Sequence, residues 1–351
     1  MTSAAEHGRL ARPAGPHHPV HHRAPCRTGR SVRGPEAAAT VLSLAVLGTV
    51  LLVQLGAPQV WREHGWVVLV AGLLAGLPHG AVDHLVPTFV LRERAPRVLL
   101  VATGYAATAA AAWLLFRTFP AAALVAFVLV SVLHFGSGEV AFDDERAGRA
   151  VGTGRDRDVL AVVATGGAVL VLPVVGDAAS VAPITALVVP GSSGVLPWWL
   201  TTGATVLVLS AVVLTVARRL HRRRRLAAAE VALLAAVGLL VPPLVAFGAY
   251  FGGWHAVRHV GRLLAEDPAN TGDLAAGRLA RPLGRFALAA AAPTAVSLAA
   301  LGALWSTTDG WRGFVTADLA VLAGLTVPHV LVVAWWDRHP RARSAPPGAH
   351  R

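Results

Sequence analysis

The chain contains no lysine, so all 31 of its basic side chains are arginines. It is also poor in charge, because only 14% of its residues are charged, against about 25% in a typical soluble domain. These few charges are segregated, and long apolar runs without any charge separate them. Together with 55% hydrophobic residues, this pattern excludes an ordinary soluble domain and predicts an integral membrane protein.

Cysteine is nearly absent as well. The single cysteine, Cys26, excludes an intramolecular disulfide and cannot by itself form a thiolate metal site. The net charge of +12 does not indicate nucleic-acid binding, because the arginine clusters lie between apolar segments, as they do in the cytoplasmic loops of membrane proteins. We therefore expect a lipid bilayer and no nucleic acid as a partner.

The apolar part of the chain predicts an all-α polytopic membrane helix bundle with about 8–10 transmembrane helices, each of about 20 residues. Pro242 and Pro243 separate two of the segments, although one long kinked helix is an alternative there. Residues 178–190 fit a re-entrant piece in a loop, which the sequence leaves open. The ten apolar segments are 37–56, 66–90, 98–116, 121–138, 159–176, 198–217, 226–241, 244–264, 284–304 and 315–336.

Residues 1–36 are rich in Arg, Pro, Gly and His and have no apolar periodicity, which predicts a disordered basic tail. Residues 37–338 form the predicted transmembrane domain, and residues 339–351 a cytoplasmic tail. If the amino terminus is cytoplasmic and each segment crosses once, 27 of the 31 arginines lie on the cytoplasmic side, as the positive-inside rule expects. Both termini are therefore predicted to be cytoplasmic. The tail histidines are interpreted as solvated rather than metal-binding; they are His7, His17, His18, His21 and His22.

Histidines inside the apolar segments are the main chemical signal. Ionisable side chains at membrane depth are costly and usually face a bundle interior, a cavity or a metal. In the predicted topology, all of these histidines except His84 converge from four segments on one slab at or below the bilayer midplane. Helix bundles build metal sites from facing side chains in this way. The six histidines are His79, His84, His134, His255, His259 and His329.

His255 and His259 form the sharpest pair, because a spacing of four residues stacks two rings on one helical face, where both can bind one metal ion. An all-nitrogen site suits iron, copper or zinc. Four histidines on a six-coordinate iron leave two adjacent positions open for dioxygen beside a substrate, whereas four on zinc give a closed structural site.

Charged residues close to these histidines have predicted supporting roles. Asp83 follows His79 by four residues on the same predicted helix and is expected to accept the second ring N–H of a ligand histidine. Glu139 either does the same or caps the end of its helix. Arg258 is interpreted as the counter-ion of one of these carboxylates.

Four motifs follow one another in the chain and together are more specific than any one alone. They are Gly76-Leu-Pro-His-Gly-Ala-Val-Asp83; His134-Phe-Gly136; the run Val241-Pro-Pro-Leu-Val-Ala-Phe-Gly-Ala-Tyr-Phe251 leading to Trp254-His-Ala-Val-Arg-His259; and Leu325-Thr-Val-Pro-His329. These motifs resemble the Brp/Blh family of bacterial and archaeal membrane β-carotene 15,15′-dioxygenases, which make retinal, often for rhodopsins. The resemblance covers roughly residues 65–340 of this chain.

The resemblance implies an enzyme of the cell membrane that uses Fe(II) and dioxygen to cleave β-carotene, or a related carotenoid, at its central double bond. Retinal is the implied product, with a rhodopsin as its recipient. Glu139 stands where the family commonly has an aspartate. The implied catalytic and iron-binding residues are His79, His134, His255 and His259, with His329 as a further ligand or site residue.

Aromatic residues beside the His255 motif are predicted to contact the polyene, with packing in the core as the alternative; they are Tyr250, Phe251 and Trp254. A membrane desaturase or hydroxylase fits less well, because those enzymes have several HxxxH and HxxHH boxes and this chain has a single HxxxH. A proton-coupled transporter, a carotenoid- or retinal-binding accessory protein and a haem protein remain alternatives from the sequence.

Overall fold

The computed structural model describes residues 34–87, 96–149, 151 and 158–339. The predicted basic tail, apart from its last three residues, lies outside the described residues, as do its histidines. The predicted carboxyl-terminal tail lies outside them apart from His339. The described part of the chain is helical and contains no strand, which confirms the predicted all-α class.

Helices lie in every predicted apolar segment, although their ends differ by up to nine residues, as where α2 ends at Ala81 and the predicted segment at 90. Two tighter or wider helical turns also occur, a 3₁₀ turn at Asp83–Leu85 and a π-helical turn at Phe251–Ala256. The α-helices are α1 (Pro35–Gly56), α2 (Val60–Ala81), α3 (Pro96–Thr118), α4 (Pro120–Arg146), α5 (Val159–Gly176), α6 (Ala178–Val188), α7 (Trp198–His221), α8 (Arg225–Leu240), α9 (Pro243–Tyr250), α10 (Val257–Glu266), α11 (Thr271–Ala275), α12 (Ala280–Thr307) and α13 (Gly310–Arg338).

Among the described residues, eight helical stretches are long and apolar enough to cross a membrane. Large apolar side chains on their outer faces are exposed, with Leu288 at 80% and Trp198 at 77%. Contiguous exposed apolar surface marks contact with lipid or with another protein rather than with water. The fold is therefore a polytopic membrane helix bundle.

The structure describes both regions that the sequence left open, the two prolines at 242 and 243 and residues 178–190. Helix α8 ends at Leu240 and α9 begins at Pro243, with Val241 and Pro242 in extended conformations between them. Proline cannot donate an amide hydrogen bond, so two consecutive prolines favour a break over a kink. The region 178–190 contains α6, a helix of 11 residues, which is too short to span a bilayer core on its own.

The largest cluster of buried apolar side chains joins α1, α4, α5, α7, α8, α9 and the π-helical turn. Glycines allow the backbones of this core to touch: a Cβ atom at Gly136 would lie 2.1 Å from the Val162 carbonyl oxygen, and one at Gly166 would lie 2.0 Å from that of Val132. Small residues permit such close approach between membrane helices. These contacts fix α4, which carries His134, against α5.

Candidate metal centre

Helix α2 and the α9 segment meet backbone to backbone, and this contact positions two of the predicted site histidines. A Cβ atom at Gly72 would lie 2.0 Å from the Gly248 carbonyl oxygen, and one at Gly252 would lie 2.4 Å from that of Gly72. His79 follows on α2, and His255 lies in the π-helical turn after α9. The rings of His79 and His255 are 5.2 Å apart between centroids.

The π-helical turn inserts one residue relative to an α-helix, and such turns are frequent at functional sites. His255 lies in the turn and His259 in α10 after it, and their ring centroids are 6.2 Å apart. Both side chains are buried, as the apolar segment predicted. The pair is therefore presented to the bundle interior from one continuous helical stretch.

The structure brings together all five of the histidines that were predicted to converge. The ring of His329 lies 4.9 Å from that of His79, 4.8 Å from that of His134 and 5.3 Å from that of His259. The His134 ring lies 5.1 Å from His255, and the His259 ring lies 5.4 Å from His79. The sixth, His84, lies half-buried in the 3₁₀ turn after α2 and makes no described ring contact with this group.

Three of these side chains could hold one metal ion. His79, His255 and His329 each offer a ring nitrogen, and the three nitrogens lie within 4.8 Å of one another. A metal bound by imidazole at about 2.1 Å separates two opposite ligand nitrogens by about 4.2 Å. The spacing of the three nitrogens is therefore close to the widest that one shared ion could span.

Unpaired ring nitrogens show that the cluster fits a metal. The Nε2 atoms of His134, His255, His259 and His329 are buried and have no hydrogen-bond partner among the described residues. A buried polar atom without a partner is costly and rare. A metal ion would supply the missing partner, and imidazole ligands suit iron, copper and zinc.

Hydrogen bonds on the opposite ring nitrogen orient two members of the cluster. The Nδ1 atom of His79 is bonded to the Gly76 carbonyl oxygen, one turn earlier on α2. The Nδ1 atom of His329 lies 2.7 Å from Asp83 Oδ2. When Nδ1 carries the proton and donates it in this way, Nε2 is left free to bind a metal.

One detail of the Asp83 prediction is wrong. Helix α2 ends at Ala81, and Asp83 begins a separate 3₁₀ turn instead of continuing the helix that carries His79. The carboxylate therefore faces α13 and its His329, and Asp83 is almost completely buried.

Glu139 lies within α4, which continues to Arg146, so it does not cap a helix end. It pairs with Arg258 at 2.9 Å, and Arg258 also reaches Glu230 at 2.7 Å. The guanidinium group of Arg258 stacks over Trp254, 3.7 Å from the ring centroid. All of these charged groups are buried, and Arg258 directly precedes His259 on α10.

Other buried ion pairs near the site were not predicted from the sequence. Arg262, one turn after Arg258 on α10, binds Glu145 at 2.9 Å and Asp337 at 2.6 Å. Glu230 also pairs with Arg146 at 2.6 Å. The sequence shows acidic residues near the ends of apolar segments, which indicates that some of them form buried ion pairs. Only the fold reveals which arginines they bind.

The three predicted aromatic contacts differ in their surroundings. Tyr250 and Trp254 are fully buried in the main apolar core. Phe251 is half-buried, packs edge-on against His79 at 5.4 Å and stacks on Phe247 at 5.7 Å. Phe251 is thus the one of the three that combines partial exposure with an edge-on contact to a cluster histidine.

The sequence model of a family described as β-carotene 15,15′-dioxygenase matches residues 70–337. That range contains the whole histidine cluster. The chain belongs to this family. One similar protein is the probable β-carotene 15,15′-dioxygenase Blh of Halobacterium salinarum, which is 33% identical over 304 residues, covering 77% of this chain and 84% of the relative. No solved structure matches the chain.

Membership in the β-carotene 15,15′-dioxygenase family assigns the chain to an enzyme class. The family name denotes a reaction with dioxygen. A metal held by the buried histidines would suit such a reaction. Membership also makes a proton-coupled transporter a poorer explanation of these buried histidines. The family range begins in α2 and ends in α13, the helices that carry His79 and His329.

Proposed function

We propose that this chain is a multi-pass membrane enzyme that cleaves β-carotene, or a related carotenoid, at the central double bond to give retinal. The proposed cofactor is Fe(II), held by His79, His134, His255 and His259. The observation that carries the proposal is the buried all-histidine cluster with unpaired Nε2 atoms, in a chain of the β-carotene 15,15′-dioxygenase family.

The reaction balances without any further reductant. One carbon–carbon double bond breaks, and each of its two carbons receives one oxygen atom of dioxygen, which gives two aldehydes. Bound iron would supply the activation of dioxygen, a step that side chains alone do not perform. The protein contributes binding, orientation and the exclusion of water.

Contacts of the described residues suit these tasks. Aromatic rings of Phe135, Phe251 and Trp336 contact the cluster, and the outer faces of the long helices carry exposed apolar side chains. A carotenoid is a long hydrocarbon, so we expect it to enter from the lipid between helices rather than from water. Phe251 is the proposed polyene contact closest to the cluster, since its ring touches His79 and is still partly accessible. Tyr250 and Trp254 are proposed to shape the wall behind it.

We propose that the enzyme lies in the cell membrane with both termini in the cytoplasm, as the arginine distribution indicates. Retinal released into the bilayer would be available to a rhodopsin, which is the proposed recipient.

The test is expression of the full chain in a bacterial host that accumulates β-carotene, followed by pigment extraction and chromatography. We expect bleaching of the cells and formation of retinal. His255→Ala and His259→Ala should abolish both, whereas His84→Ala, a half-buried histidine outside the cluster, should retain them. Intact β-carotene that co-purifies with well-expressed, iron-loaded protein would contradict cleavage and support the carotenoid-binding alternative.

A further inference from the structure

We propose that His329 is a fifth metal ligand and that Asp83 holds it in place. This inference rests on the proposed iron site and extends its ligand set. His329 lies on α13, far in sequence from the other histidines, and the resemblance left open whether it is a ligand or another site residue. The contacts that the fold creates favour a ligand.

The first observation is the position of His329 within the cluster. Its ring contacts those of His79, His134 and His259 at 4.8–5.3 Å, distances like those between the four other histidines. It also belongs, with His79 and His255, to the group whose ligand nitrogens lie within 4.8 Å of one another. The ring of His329 therefore lies as close to the other rings as the four proposed ligand rings lie to one another.

The second observation is the state of its Nε2 atom. This atom is buried and has no hydrogen-bond partner among the described residues, as is true of His134, His255 and His259. A histidine that served only as a hydrogen-bond donor to Asp83 would leave this nitrogen unsatisfied in an apolar interior, at a cost. A ligand role removes that cost.

The third observation is the anchoring of the ring. Asp83 Oδ2 lies 2.7 Å from His329 Nδ1, and the Tyr105 hydroxyl lies 3.2 Å from the same oxygen. The Tyr105 hydroxyl also lies 3.3 Å from the Leu325 carbonyl oxygen, one turn before His329 on α13. A carboxylate behind a histidine fixes its tautomer and makes the other nitrogen a stronger ligand. Two other elements, the 3₁₀ turn with Asp83 and α3 with Tyr105, thus orient this ring of α13.

A fifth histidine ligand would change the number of positions that remain open on the metal. Four histidines on a six-coordinate iron would leave two open positions, whereas five leave one. One position is enough for the proposed reaction, because a carotenoid hydrocarbon has no nitrogen or oxygen lone pair to offer a metal. The polyene would then be held by side-chain contacts alone.

The test compares metal binding by the wild type, His329→Ala, Asp83→Asn and, as the matched control, His84→Ala. Each full-length chain is purified in detergent without metal and titrated with Co(II), whose visible absorption spectrum reports the number and type of its ligands. We expect His329→Ala to weaken Co(II) binding at least tenfold and to change the spectrum, with added imidazole restoring the wild-type spectrum. Asp83→Asn should weaken binding by about 10–100-fold, as removal of such supporting carboxylates typically does.

The inference is overturned if His329→Ala binds Co(II) with the affinity and spectrum of wild type and His84→Ala. If His329→Ala does not fold, Asp83→Asn decides, and a wild-type affinity and spectrum in that variant also overturns the inference. Retained binding in His329→Ala with loss in His255→Ala refutes only the fifth ligand. A wild-type chain that binds neither Co(II) nor iron refutes the proposed function itself.

Discussion

Replacement of Gly72 by alanine tests whether the backbone contact between α2 and α9 sets the spacing of the site histidines. The added Cβ would lie 2.0 Å from the Gly248 carbonyl oxygen, whereas ordinary contact begins at 3.4 Å. The two segments must therefore separate locally by about 1.4 Å, because the obstacle is backbone and cannot rotate away. His79 follows Gly72 by seven residues, and His255 follows Gly248 by seven, so the shift is passed to both rings.

Overpacking of a tight interior typically costs about 1–3 kcal/mol, and we expect the Gly72→Ala cost near the top of this range because backbone is involved. A displacement of about 1.4 Å is also large compared with the tolerance of a metal site, for which ligand distances must be met within about 0.2 Å. We therefore expect at least tenfold weaker metal binding and loss of β-carotene cleavage.

The assay measures the thermal midpoint in detergent and the iron bound per chain. Gly104→Ala on α3 is the matched control, because its Cβ would meet nothing within 4 Å. Alanine is favoured over glycine in a helix interior by roughly 0.5–1 kcal/mol, so the control should be unchanged or slightly more stable. A Gly72→Ala protein with wild-type midpoint and iron content would refute the reasoning.

Three further predictions concern a buried ion pair, the bound metal and the polyene contact, and Arg218→Ala is the control for the first. Arg258→Ala should cost about 3–5 kcal/mol and strongly reduce folded protein, since it leaves the buried Glu139 without its counter-ion. Arg218→Ala removes only an exposed ion pair with Asp158, and the change should stay within about 1 kcal/mol by the same thermal assay. Removal of bound metal by a chelator should lower the midpoint, because a ligand at 100 times its Kd contributes about 2.7 kcal/mol; an unchanged midpoint after metal loss contradicts this. Phe251→Ala should raise KM for β-carotene in detergent assays while iron content stays normal, and an unchanged KM excludes the proposed contact.

The positions of the helices were predictable because they depend on local sequence. A run of about 20 apolar residues needs its backbone hydrogen bonds satisfied internally, and a helix does this without any partner. The break before Pro243 has the same local origin, since the two prolines remove two amide donors. The predicted segment 121–138 was too short, because α4 continues to Arg146 past Glu139 and Glu145, which the buried Arg258 and Arg262 neutralise.

Part of the site was predictable for a related reason. Histidines at membrane depth are costly unless they are used, so their presence in four segments indicated convergence before any helix contact was known. The i,i+4 pair of His255 and His259 lies on one helical stretch, as expected, although the π-helical turn that begins at Phe251 could not be anticipated from spacing.

The remaining features depend on which helices touch. Asp83 was expected on the helix of His79, but that helix ends at Ala81 and the carboxylate turns toward α13. No periodicity within one segment could reveal that His329 would be its partner. Arg262 likewise draws its two carboxylates from α4 and α13, which only the assembled bundle specifies.

The most direct test of the account is the iron bound per chain after anaerobic purification of wild type, His255→Ala and His84→Ala. The account predicts one iron per chain in the wild type and in His84→Ala, and loss of this iron in His255→Ala, because His255 contributes a buried, unpaired Nε2 to the cluster. Absence of iron from the wild type, or equal iron in all three proteins, would contradict the claim that the buried histidines form the metal centre.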